Sequence, residues 1–329
     1  MEVQVVAVGV AVVLVAACFF LVRPALVTGL DYRVCDLLTA WAGGGHPSGL
    51  VTVVEIDEKS VAQYGRWPWP RDRLGLLVQR TLEDGAATVV LNAMFPEEDH
   101  GLSNTGGTND AVLASSLAGH PTVIGYNFSF ASGQPGASEC GIGSLRLAII
   151  GPNERAAFRA SGALSSVAEL SQAAASVGFL NSAPDSDGKL RRLPLMIECD
   201  DQYYPSLALA ALNVYRHSSA MRLTTSSRGA VELGLDDKLI PLEGRGWLRL
   251  RFRGTRRTFP HVSAADIMRD SAPAERLRGK IAIIGGTASG LENSSTVPTD
   301  SLFPGVEIQA TAIDNLLQGN ELVWSMDPH

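Results

Sequence analysis

At 329 residues the chain can hold one large domain or two ordinary ones, with ample core. Its composition is globular, with 46% apolar and 19% charged residues, and a formal net charge of −7 argues against nucleic acid as the main partner. Four cysteines in a chain this long are no disulfide framework, and no pair has C-x-x-C spacing, so structural zinc is not expected.

Residues 3–22 form an apolar run interrupted only by Gln4 and Gly9. At about 1.5 Å per residue it reaches roughly the 30 Å of a bilayer core. It lacks the basic start and polar cleavage region of a signal peptide. Val15-Ala16-Ala17-Cys18 resembles a lipoprotein box, but apolar residues continue through Val22. Residues 1–23 therefore read as an uncleaved transmembrane signal anchor, with the lipid bilayer as a partner. Arg23 and Arg33 follow the run and no Lys or Arg precedes it, a bias that taken alone places the main domain in the cytoplasm.

Residues 24–50 hold a short helix over 30–42 and the glycine-rich linker 43–49. The main domain, 51–319, opens with a β-branched strand over 51–57, a short turn segment, and the element Trp67-Pro68-Trp69-Pro70. Its two prolines fix φ and are expected to present both indoles. A helix over 71–84, a strand over 87–92, a helix near 110–117 and a strand over 122–128 follow. This alternation predicts an α/β fold with a mixed, largely parallel sheet and flanking helices.

Residues 131–144, rich in Gly, Ser and Ala, read as a loop or insertion. A helix around 164–175, a strand around 177–181, a turn at 185–188 and a helix over 205–216 come next. Residues 222–260 read as a small antiparallel section. There Trp247, Arg249, Arg251 and Arg253 alternate with Leu248, Leu250 and Phe252, so the arginines share one face. They either pair with carboxylates such as Glu232 or Asp237, or meet an anionic ligand or lipid head groups. A buried strand over 280–285 enters a glycine-rich turn, and 306–318 form a closing helix with Gly319 as its cap.

Ligands of open α/β sheets settle at the carboxyl ends of strands. Those ends carry Asp57-Glu58, Asn92 with 95–99, and 285–290. If the strands are neighbours, carboxylates, an amide, glycine backbone and the indoles of Trp67 and Trp69 share one site. Otherwise the tryptophans plug the end of the domain and the acids cap helices. The 285–290 turn is neither G-x-G-x-x-G nor a Walker loop; it is a plain turn or offers N–H groups to an anion. Asp185-x-Asp187-Gly188 begins like a calcium loop without the remaining ligands. His46, His100, His120, His217, His261 and His329 lack metal-site spacing, and only Cys140 and Cys199 could bridge within the domain. With no nucleophile elbow and no H-E-x-x-H, no enzyme, cofactor or metal is expected.

Ordered blocks over 31–319 resemble the type-two CHASE domain, a sensory module of bacterial receptors. They include Asp31-x-Arg33, Glu55-Ile-Asp-Glu-Lys-Ser60, Gly65-Arg-Trp-Pro-Trp-Pro-Arg71 and Phe95-Pro-Glu97, then Asp187-Gly188, Arg191-Arg192-x-Pro194-Leu195 and Pro205-Ser-Leu-Ala-Leu209. Phe252-Arg-Gly254, Gly279-Lys280, Gly286-Thr-Ala-Ser-Gly-Leu291 and Pro304-Gly-Val-Glu-Ile308 through Ala312-Ile-Asp-Asn-Leu-Leu317 complete the set. The resemblance implies an extracytoplasmic domain, against the charge bias at Arg23. It also implies relay of a small external signal to a cyclase, histidine kinase or Ser/Thr kinase output. Residues 320–329 would lead into an exit helix, so the chain is either a fragment or an orphan sensor working with a partner.

The candidate ligand-binding residues are Asp57, Glu58, Arg66, Trp67, Trp69, Arg71, Asn92, Glu97, Gly286, Thr287 and Asn293. Where the family pattern carries Asp, Asp and His, this chain has Asn92, Asn293 and Gln309, which turns the implied site toward a neutral ligand. The alternative is an orphan membrane-anchored interaction module with a vestigial site, dimerising or holding a partner receptor subunit. A third reading is an anchored hydrolase using Asp57 and Glu97.

Overall fold

The computed structural model describes residues 25–41, 45–99, 107–131, 147–151, 157–217, 221–226, 231–235, 238–288 and 293–319, with 4, 6, 9, 10, 13, 101, 140 and 290 individually. Most of the expected anchor at 3–22, most of the Gly/Ser-rich stretch at 131–144, His100, Ser289 and residues 320–329 lie outside this set. Among the described residues no helix is long and apolar enough to cross a membrane. Two compact units are present, Met1–Gly45 and His46–His329. The first contains helix α1 (Ala25–Trp41), longer than the 30–42 expected from sequence.

The second unit is built on parallel strands β1 (Val51–Ile56), β2 (Thr88–Leu91) and β3 (Thr122–Ser129), with helices α2 (Glu58–Tyr64), α3 (Arg71–Glu83) and α4 (Asn109–Leu117) between them. Helix α2 replaces the expected turn: Asp57 caps its first turn and Gly65, at φ 88°, ends it. After β4 (Leu147–Ile150), β5 (Phe158–Arg159) and β6 (Gly162–Leu164) come α5 (Ala168–Ala173) and β7 (Ser176–Phe179). Strands β8 (Arg192–Pro194), β9 (Met196–Cys199) and β10 (Gln202–Pro205) precede α6 (Leu207–Arg216). Pro205 therefore closes a strand instead of opening the helix, which Ser206 caps.

Strands β11 (Met221–Thr225), β12 (Val231–Leu235) and β13 (Lys238–Leu242) pair antiparallel, with β4 parallel to β11 at the edge, and β14 (Trp247–Arg249) pairs antiparallel with β8 in a separate two-stranded sheet. Then come β15 (His261–Ser263), α7 (Ala264–Met268), β16 (Ile281–Gly286), the hairpin β17 (Ser294–Val297) and β18 (Asp300–Pro304), and α8 (Gly305–Gln318). The central sheet runs β15-β1-β16-β2-β3, with β6 and β7 both on β3. All its pairings are parallel except β6 with β3.

Alternate strand residues face two cores. Val51, Val53, Val90, Val123, Ile281 and Ile283 pack with α6 and α8 on one side. Val54, Ile56, Val89, Leu91, Ile124 and Ile284 pack with α3, α4 and α7 on the other. A sheet covered on both faces explains why its strands read as continuous β-branched runs. From β14 onward the alternation holds, with Leu248 in the strand and Leu250 and Phe252 beyond it buried. Of the expected acidic partners Asp237 lies outside the described residues; among the described ones Arg249 pairs with Glu243 and Arg253 with Asp314 on α8 at 3.1 Å. Cys140 and Cys199 form a disulfide with a Cα separation of 6.0 Å.

Candidate functional site

Strands β16 and β2 lie side by side, in register from Ile281–Thr88 to Ile284–Leu91. From β2 the chain turns to α4 on one face of the sheet; from β16 it passes through β17 and β18 to α8 on the other. Connections that leave adjacent parallel strands in opposite directions open a crevice at their carboxyl ends. A cavity of about 290 Å³ occupies that crevice. Asn92, Asn127 and Asn293 supply its amides, Arg71 its guanidinium, and Gly285, Gly286, Gly305 and Val306 its backbone wall. Apolar surface comes from Trp67, Leu91, Met94, Leu180 and Ile284.

Close approach of backbone shapes this wall. A Cβ on Gly285 would stand 2.8 Å from Val306 Cβ and Cγ2, so the first turn of α8 can sit against β16 only because residue 285 has no side chain. Arg71 is held on several sides. Its Nη2 donates to the Glu97 carbonyl at 3.2 Å, its Nε lies 3.3 Å from Asp110 Oδ1, and its guanidinium covers the Phe95 ring at 4.5 Å. The Arg71 backbone N–H donates to Asp99 at 3.1 Å. Burial would raise the Asp99 pKa, but donors from Arg71, Gly101 and Asn109 outweigh it and hold the carboxyl below its ordinary range.

Of the residues singled out from sequence, Trp67, Arg71, Asn92, Gly286 and Asn293 come together here. The others do not. Trp69 is not presented: it is buried, packs edge-on against Tyr64 and donates from Nε1 to the Gly65 carbonyl at 2.8 Å. Asp57 accepts from Ser60 N, Ser60 Oγ and Ser263 Oγ at 2.9, 2.6 and 3.0 Å, so its carboxylate is spent on capping α2. Glu58, Arg66 and Glu97 are exposed, and only the Glu97 carbonyl reaches Arg71. Strand β16 stands between β1 and β2, which separates Asp57 from Asn92. The N–H groups of Thr287 and Ala288 donate to Ile56 O, so they are not aimed at an anion. Asp185 and Asp187 hold Arg191 instead of calcium, at 3.0 and 2.7 Å, and that hydrogen bonding lowers the Asp187 pKa to about 2.

Thr287 belongs to a second cluster, on the β1 side of β16. Glu55 of β1 and Glu307 of α8 are buried carboxylates. His261 Nδ1 lies 3.1 Å from Glu55, and its Nε2 lies 3.6 Å from Glu307, an ionic contact beyond hydrogen-bond reach. Arg257 donates from Nη2 to both Glu55 oxygens at 3.1 and 2.9 Å, and from its backbone N–H to both Glu307 oxygens at 2.9 and 2.8 Å. Thr287 Oγ1 donates to Glu55 at 3.1 Å. Burial would lower the His261 pKa, but the two carboxylates outweigh it and push it up to about 9. Burial would raise Glu55, and His261, Arg257 and Thr287 together bring it below the ordinary value. The cluster ties β1, β15 and the first turn of α8. Its sequence signal was a carboxylate inside a β-branched, otherwise uncharged strand, Val51–Ile56.

The crevice can bind a small molecule through hydrogen bonds and apolar contact, with α8 as part of its wall. Comparisons with curated proteins and with solved structures find no match. A family model, the CHASE2 domain, matches residues 10–328, and the chain belongs to the CHASE2 family of extracellular sensory domains.

Proposed function

We propose that the chain is the extracytoplasmic ligand-binding part of a membrane-anchored receptor, with residues 1–23 as the anchor and the crevice between β16 and β2 as the ligand site. One observation carries the reading: α8 runs from the cavity to the place where the chain enters the domain. Gly305 and Val306 line the cavity at one end of α8. At the other, Ser48 N donates to Asp314 at 2.7 Å and Gln318 Nε2 donates to His46 O at 3.0 Å. The helix has 14 residues, about 21 Å at 1.5 Å per residue. A ligand that touches its first turn differently in two positions of α8 shifts their populations, by no more than its differential affinity. The disulfide supports export, since such bonds persist in oxidising compartments.

The test is a thermal-shift screen of small extracellular metabolites on the full chain in lipid nanodiscs, for wild type and Gly286→Val. A ligand of the cavity raises Tm in a concentration-dependent way, and the variant loses that response. Stabilising compounds that act equally on both proteins overturn the reading.

A second reading, an interaction module, is favoured by α1. Leu30, Val34, Leu37 and Leu38 are 59, 49, 69 and 41% exposed. Their spacing of four and three residues is that of a two-stranded helical seam, and a second copy of the chain is the matching partner. A monomer by light scattering in nanodiscs sinks this reading. A dimer lost on Leu37→Glu supports it.

A further inference from the structure

We propose, resting on the assignment of the ligand to this crevice, that the cavity takes a small uncharged polyhydroxyl compound of monosaccharide size. Charge is the first argument. Arg71 is the one charged side chain lining the cavity among the described residues, and Asp110, the Glu97 carbonyl and the Phe95 ring already engage it. The N-terminus of α8 would favour an anion, but Glu307 sits in that turn with its carboxylate bound to Arg257. No uncompensated charge faces the cavity.

The amides are the second argument. The side chains of Asn92 and Asn293 make no hydrogen bond to another described residue, and Asn127 donates only to the Met94 sulfur at 3.8 Å. Each amide offers donors and an acceptor side by side. A carboxylate ligand would leave the amide carbonyls unsatisfied, and an ammonium would leave the amide N–H groups so. A hydroxyl both donates and accepts, so vicinal hydroxyls satisfy both halves. The third argument is shape. Trp67, Met94, Leu180, Ile284 and Val306 give the cavity an apolar surface for the C–H face of a ring. Its volume of about 290 Å³ lies at the lower end of small-molecule sites.

The probes are neutral hexoses, their matching uronates, hexosamines and divalent cations, titrated calorimetrically and by thermal shift against the full chain in nanodiscs. Wild type is compared with Asn92→Asp and Asn127→Leu, each first shown to melt within a few degrees of wild type, and Asn293→Ala on the exposed rim serves as a third variant. The expected result is binding of at least one neutral hexose, at least tenfold tighter than its uronate or amine, and at least tenfold weaker in an amide variant. A uronate, amine or cation that binds more tightly and is lost in the variants overturns the ligand class while leaving the crevice as the site. Hexose binding that survives in all three variants overturns the crevice itself. No response to any hexose overturns the proposal.

Discussion

His261 is charged at neutral pH because it stands between two buried carboxylates, and that gives the domain a measurable pH dependence. Its pKa is raised from 6.5 to about 9, so the stability it contributes is fully present below pH 6.5 and is lost as pH rises through about 9. The groups facing it are Glu55 on β1, Glu307 on α8 and, across Glu55, Arg257 and Thr287. We expect Tm to fall between pH 6.5 and 9.5, by an amount equivalent to at most about 3 kcal/mol, and His261→Asn to flatten that slope. A wild-type Tm that rises over the same range contradicts the assignment. Glu55 acts in the opposite direction: its lowered pKa contributes stability that disappears as the solution becomes acidic.

Among the elements, α8 packs Val306 against β16 where Gly285 offers no side chain, and Gly285→Ala tests what that closeness is worth. The new methyl would have to displace Val306, so the substitution is expected to cost about 1–3 kcal/mol in chemical denaturation and to weaken any ligand of the cavity. An unchanged midpoint would show that the helix start moves freely. Much of this framework was legible in the chain. The β-branched runs announced buried strands, and Asn92 and Gly286, two lining residues, were placed at strand ends, while Asn293 came from the family resemblance. Strand order was not legible: β16 enters between β1 and β2 through pairing of segments from opposite ends of the domain, and such pairing has no local signature. Helix α2 was missed although Asp57 and Gly65 mark its ends, because seven residues carry little periodicity. The arginine alternation gave the right inward face and not the partners Glu243 and Asp314, which tertiary packing selects.

For the whole molecule, the disulfide reports compartment. It links residues 59 apart in sequence, and closing such a loop is worth about 4 kcal/mol on a chain-entropy account. In the full-length protein isolated without reductant, thiol labelling under denaturing conditions should find Cys140 and Cys199 unreactive before reduction and reactive after it. Reaction of both without reductant would place the domain on the reducing side. The replacement Cys140→Ser with Cys199→Ser should lower Tm while leaving the carboxyl-end cavity in place. The contacts of Asp314 carry a mechanical consequence as well. This fully buried carboxylate takes the backbone of Ser48, the guanidinium of Arg253 and the amide of Gln318, so the segments flanking the domain converge on one anchor point. A displacement of either flank would meet that group before it meets the sheet. Ser48 and Gln318 thus share one hydrogen-bonding group, and the helix that carries it ends at the cavity wall.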